Sequence, residues 1–426
     1  MSSIASGKTL NTPAKKRQLG WDLWRFWGAF TIFFGHNLYA LTNSNADISS
    51  EMIPSSFLRW MQSPDISWSL VYSAVPMFVF ISGYFALGKP YGPNDWAKSK
   101  NTFFRYIGYV FRWAFVGLIL FLLFPQVWPG MEPFAGLSIK EIGLQLYNGF
   151  INTIVGTKFL ATTYNVNYFL VGIGWMILLS PLFKGLFHNG NIKAARAIVL
   201  IITLFSVVFN CIRCIGGEII LANPDSTLGS VLSTFNPIST AQFTWFDFWE
   251  VYFLWGGLFA TDKELQERVK HIPWLVVALL ALVAYVVQNI IFYNWLWATS
   301  LYNQGAGIFL CIVYIMFAYK MNGILKEDSK LGHFIIKYTP DTLGVMTMHL
   351  MFGTQVMNSS LKPLFAQVAQ AIWFPQAPLV TTFLWLAVNI VYFALIFTAV
   401  HWLKKIPLIG KLFDYPNIRM KKVEAA

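Results

Sequence analysis

The sequence predicts an all-α protein, a polytopic transmembrane helix bundle of about ten spans with both termini in the cytoplasm. Three observations lead there. Of 426 residues, 56% are hydrophobic and only 12% charged, about half the charge of an average soluble domain. Mean hydropathy is +0.54, and apolar windows of roughly 20 residues, enough to cross the hydrocarbon layer, recur from Leu19 to Leu403. Lys and Arg concentrate in alternate connections, as the positive-inside rule requires.

Residues 1–18 are polar, end in a basic cluster and lack the apolar run of a secretory leader; they read as a disordered cytoplasmic tail. Spans are expected at 20–42, 67–88, 106–128, 166–187, 197–221, 244–261, 273–294, 301–319, 340–361 and 379–403. Segment 141–157 is amphipathic and shorter, as in an interfacial or re-entrant helix. With the N-terminus inside, 24 basic residues fall in inner segments and four outside: Arg59, Lys140, Lys158 and Lys362. Arg25, Arg112 and Arg213 lie within spans. Removing one span would scramble this division. Residues 19–405 therefore form one transmembrane domain, and 406–426 a basic cytoplasmic tail. Connections 43–66, 129–165 and 222–243 are too short for separate domains but long enough to shape a pocket.

The net charge of +12 does not indicate nucleic acid, because the cations sit in short loops and no basic helix or RNA-binding aromatic motif occurs. Cys211 and Cys214 have C-x-x-C spacing but no second ligand pair, so with Cys311 they read as packing residues. No His, Cys and carboxylate cluster has metal-ligand spacing, and there is no phosphate loop or dinucleotide fingerprint.

Ionisable groups inside a bilayer are expensive and need a partner or a function. The stretch WDLWRFWGAFTIFFGH carries Asp22, Arg25 and His36. Eleven helical steps return to nearly the same face, about 16 Å further along the axis. One face thus presents a guanidinium near the cytoplasm and an imidazole deeper in, with Asp22 placed to pair with Arg25. Arginine binds phosphates and histidine is the usual general base near neutral pH. Together they suit moving an acyl group from a phosphate-rich carrier to a hydroxyl.

These residues resemble acyltransferase family 3, bacterial integral-membrane O-acyltransferases, whose first helix has an aspartate, an arginine, ten residues and a histidine. VPMFVFISGYFALGK, with Ser82, Gly83, Tyr84 and Lys89, and the basic loop to Arg105 are similar to its second span. NYFLVGIGWMILLSPLF, YFLWGGLFA and TMHLMF, the last with His349, match later spans. Asn167 and Tyr168 depart from the usual fourth-span motif. The resemblance implies transfer of an acyl group, most often acetyl from acetyl-CoA, to a sugar hydroxyl of a cell-surface polysaccharide or lipid-linked saccharide, in a bacterial plasma membrane. Acyl-CoA is then a donor substrate, with no permanently bound cofactor.

On this reading, the CoA phosphates meet Arg25, Lys89, Lys98, Lys100 and Arg105, and His36 acts as base or acyl carrier. His349 is open to three roles: charge-stabilising donor, second base or packing residue. Arg112 binds CoA or neutralises a buried acid. Asp247 and Glu250, on one face, orient a histidine or bind sugar hydroxyls, and a place at the membrane interface explains Asp247 equally well. Arg213 and Glu218 read as an ion pair, and Ser82 as a helix contact. His188, His271 and His333 read as solvated loop residues, and His401 as structural. The alternative function is a transporter or flippase for a glycan intermediate, which embedded Arg, His and acids also suit.

Overall fold

The computed structural model describes residues 17–42, 64–123, 137–144, 147–148, 168–206, 249–295, 306–349 and 378–413, with isolated positions 227, 356, 360, 361 and 364. Their regular elements are helical, and no strand occurs among them. In order these are α1 (Leu19–Thr42), α2 (Pro64–Leu87), α3 (Asp95–Leu123), α4 (Tyr168–His188), α5 (192–206), α6 (Trp249–Thr261) and α7 (Lys263–His271). There follow α8 (Trp274–Trp295), α9 (Ala306–Ile324), α10 (Lys330–Tyr338), a 3-10 turn (Thr339–Asp341), α11 (Thr342–Met348), α12 (Pro378–Leu403) and α13 (Pro407–Phe413). Residues 139–144 are also helical.

Among the described residues, two helical stretches are long and apolar enough to cross a bilayer: Phe169–His188, with mean hydropathy 1.7, and Leu386–Leu403, with 1.9. The outward faces are apolar on several helices. Ile201, Leu204 and Phe205 on α5, Leu275 and Leu282 on α8, and Val391, Leu395 and Trp402 on α12 are all exposed. At helix ends Lys320 lies 5.0 Å over Trp274 and Lys405 lies 3.9 Å over Trp402.

Helix α1 is central and packs against α2, α9, α10, α11 and α12. Its Trp21 is fully buried among Phe80, Tyr84, Phe259 and Tyr319. Among the described residues, the most extensive helix pairing is α2 on α6. Two glycines make it possible: a Cβ on Gly83 would overlap the Phe253 carbonyl, and one on Gly256 the Phe80 carbonyl. Small residues permit this close backbone approach between helices.

The polar connections are capped and paired. Asp262 accepts from the Leu265 amide and starts α7; Ser329 accepts from the Gly332 amide and starts α10. Asp262 is also held by Arg196 at 2.5 and 2.8 Å. Asp95, at the start of α3, is buried against Lys184 of α4 at 2.6 Å. Ser138 and Glu141 hydrogen-bond reciprocally, a capping box that starts helix 139–144.

Several boundaries differ from expectation. Helix α3 begins eleven residues before the expected span, because 95–105 is a polar first section tied to α4 through Asp95. The expected span 340–361 begins instead with the 3-10 turn and α11, preceded by the unexpected amphipathic α10. Its residues beyond His349, apart from 356, 360 and 361, lie outside the described set. The expected C-terminal tail opens with α13, whose Phe413 packs 5.1 Å from Trp113. Arg112 donates to the Lys411 carbonyl, tying the same helix to α3. At the other end Arg17, assigned to a disordered tail, is held by Asp22 and donates its amide to Glu327.

Candidate functional site

Helix α1 is unbroken from Leu19 to Thr42. Positions 22, 25, 29, 32 and 36 therefore share one side of it. Ala29 and Ile32 on that side are 0% and 2% exposed, so this side faces the bundle. Close by, Gly28 admits the Phe78 ring of α2, which would lie 3.0 Å from an added Cβ.

Beside this face is a cavity of about 390 Å³. At one end are Arg17, Asp22 and Arg25, with Thr339 hydrogen-bonded to the Asp22 carbonyl at 3.4 Å. Phe78 and Ile81 of α2 and Phe169, Leu170 and Ile173 of α4 supply an apolar wall. Leu343 and Met346 of α11 add to it, while Ser82, Tyr106 and Thr342 add hydroxyls.

The charged end is ordered by one carboxylate. Asp22 is 4% exposed and lies 2.5 Å from Arg17 Nε and 2.9 Å from Arg25 Nη1. The Arg25 guanidinium also lies 5.4 Å from the Phe85 ring centroid. The cavity lining thus carries two guanidiniums and one carboxylate, with Glu327 outside the lining on the Arg17 amide, and guanidiniums at a concave surface suit anions.

His349 follows α11 and is fully buried. Its Nδ1 donates to the Val345 carbonyl at 3.2 Å. That bond places the proton on Nδ1, so in the neutral ring Nε2 carries the lone pair. The ring meets Phe33 of α1 edge-on, with centroids 5.5 Å apart. Position 36 is one turn beyond Phe33, a rise of about 4.5 Å, so His349 is beside α1 close to the depth of position 36. The His36 side chain lies outside the described residues, as do Asp247, Cys211, Cys214, Arg213 and Glu218.

The remaining expected residues are dispersed. Lys89 and Lys100 are exposed and do not line the cavity. Lys98 is exposed 3.8 Å from Asp95. Arg105 is half-buried on α3, next to cavity-lining Tyr106. Arg112 points to the α13 backbone rather than to the cavity. Glu250 is half-buried in the first turn of α6. Ser82 lines the cavity and donates to the Phe78 carbonyl at 2.8 Å, within its own helix. His188 is not a solvated loop residue: it extends α4 and bonds the Leu87 carbonyl at 2.8 Å. His271 and His333 are exposed.

Sequence reasoning missed Arg17, Tyr106, Thr339 and Thr342. Arg17 had a local signal, a cation five residues before Asp22 at a helix entry. Thr339 and Thr342 sit in TPDT, whose proline marks a break but not which cavity the break lines. No known protein family, curated protein or solved structure matches the chain.

Proposed function

We propose that the protein is a membrane-embedded O-acyltransferase of the acyltransferase family 3 type. It takes an acyl group, acetyl in the first instance, from acyl-CoA and delivers it to a sugar hydroxyl of a surface polysaccharide or lipid-linked saccharide. Ten spans in a bacterial plasma membrane, with both termini inside, belong to the same proposal. The outward apolar faces on α5, α8 and α12 and the charge division in the sequence support that setting.

The single observation that carries the functional reading is the position of Arg25. It lines a cavity charged at one end and apolar toward α4 and α11, on the side of α1 that leads to position 36. Phosphates of the donor meet Arg25 and Arg17. The cavity volume is near the lower end of the ~300–1,000 Å³ range of small-molecule sites, so it receives the slender thioester arm rather than the whole carrier. His36, or His349 just beyond the α11 residues that line the cavity, takes the proton of the acceptor hydroxyl as its oxygen attacks the thioester carbonyl, and returns it to the departing sulfur so that CoA leaves as the thiol. General base catalysis supplies about 10²–10⁴-fold.

The test is transfer of radiolabel from [acetyl-¹⁴C]acetyl-CoA to surface glycan in membranes containing the protein. Label should appear with the wild type and vanish in His36→Ala and Arg25→Ala. Unlabelled glycan together with blocked glycan export would overturn this reading in favour of a transporter.

A further inference from the structure

We propose that Asp341, His401 and Lys404 form a clamp that positions the α11 wall of the cavity. The inference rests on the acyl-CoA reading of that cavity. Helix α10 ends where Pro340 enters, because proline cannot supply the next helical amide and its ring crowds the preceding turn. The chain turns through Thr339–Asp341 and starts again as α11. Thr339, Pro340, Thr342, Leu343 and Met346 all face the cavity. Asp341 faces the other way and is 4% exposed.

Two cationic or hydrogen-bonding groups from α12 and its end meet this carboxylate. His401 Nδ1 donates to Oδ2 at 2.7 Å, and Lys404 Nζ lies 2.8 Å from Oδ1. Lys404 also donates to the Pro340 carbonyl at 3.2 Å. The His401 ring is packed against Tyr338, with centroids 5.2 Å apart, and against Trp402. On the cavity side, Thr339 donates to the Ile335 carbonyl at 2.7 Å and approaches the Asp22 carbonyl. The turn is thus gripped between α1 and α12.

A three-residue 3-10 turn with a proline has only a short ladder to fix its direction, the Thr339 amide on the Ile335 carbonyl and the Thr342 amide on the Thr339 carbonyl. Its direction decides where Thr342 and Met346 stand in the cavity and where α11 delivers His349. A buried carboxylate with one partner on a second, longer helix and another just past its end fixes that direction. These three side chains are therefore positioning residues for the donor cavity, one helix removed from Arg25.

The test uses the full chain in lipid nanodiscs with CoA as probe, read by calorimetry, and hydrogen–deuterium exchange of peptides covering 339–349. His401→Leu removes the donor; His401→Asn keeps an amide at the place of Nδ1; Lys404→Met is an independent second variant. We expect His401→Leu and Lys404→Met to weaken CoA binding about tenfold, roughly 1.4 kcal/mol, and to raise exchange in 339–349. His401→Asn should restore both. Wild-type binding that stays unchanged in both disrupting variants overturns the clamp and leaves the acyl-CoA reading standing. If the wild type does not bind CoA, the acyl-CoA reading fails. Exchange then decides the clamp alone: a rise confined to 339–349 upholds it, and no rise overturns it.

Discussion

Arg25 and Asp22, three residues apart on α1, form a 2.9 Å ion pair at the charged end of the cavity, and Asp22 is the more buried partner. Asp22→Asn would leave the Arg17 and Arg25 guanidiniums facing each other across a neutral amide. Removing a buried charged acceptor costs about 1–3 kcal/mol or more. The expected outcome is a lower Tm in detergent, partly recovered in Asp22→Asn/Arg17→Gln. Equal Tm for wild type and Asp22→Asn would contradict the assigned role.

The α2–α6 crossing predicts a steric effect. Gly83→Ala places a methyl group against the Phe253 carbonyl, and Gly256→Ala against the Phe80 carbonyl. Backbone cannot move aside as a side chain does, so each change should cost about 1–3 kcal/mol. Because the two sites share one crossing, the double variant should cost less than the sum. Urea titration or thermal melts of the two single variants and the double measure this.

Acid sensitivity is expected at the α6–α7 connection. The Arg196 guanidinium beside Asp262 holds its carboxyl below the usual carboxylate range, helped by the Leu265 amide. A lowered folded value means the unfolded chain binds the proton more readily. The pair's stabilisation is therefore complete above the ordinary aspartate value of about 3.9 and is lost as pH falls through the lower folded value. The Tm gap between wild type and Arg196→Gln should be constant from about pH 7 to 5 and close in stronger acid.

Helix α13 is expected to hold by a few contacts. Phe413 is 6% exposed, against Trp113 and beside Gly344. Phe413→Ala should cost about 3–5 kcal/mol if the gap does not collapse. Arg112→Gln should cost less but raise amide exchange in 407–413, since it removes the bond to the Lys411 carbonyl. Exchange in 407–413 unchanged in both variants would mean the helix is held by something else.

Much of the helical layout was legible because hydrophobic runs set it. The expected spans 20–42 and 379–403 correspond to α1 at Leu19–Thr42 and α12 at Pro378–Leu403. The i to i+11 relation of Arg25 and position 36 also followed from helical period alone. What the period does not encode is pairing between distant segments. The partners of Asp95, Asp262 and Asp341 are Lys184, Arg196 and His401, each chosen by how helices assemble rather than by local spacing. Lys89, Lys98 and Lys100 looked like cavity cations because they follow α2 closely in sequence. In the helical first section of α3, Lys98 and Lys100 are both exposed, on either flank of the buried face of Asp95, Ser99 and Phe103. The turn at Pro340 was visible only as a proline near a threonine pair. Its importance arises from α12, which lies some sixty residues later.

Those distant pairings have a consequence for biogenesis. Asp95 leaves the ribosome 89 residues before Lys184, the base that neutralises it. At about 5–20 residues per second, the carboxylate waits roughly 4–18 s for its counter-charge. Until then the nascent α3 keeps its N-terminal end hydrated, so docking of α3 and α4 at that end follows translation of the latter. A ribosome paused between the two codons would yield a chain whose α3 lacks this partner, and a crosslinker joining positions 99 and 180 would time the event.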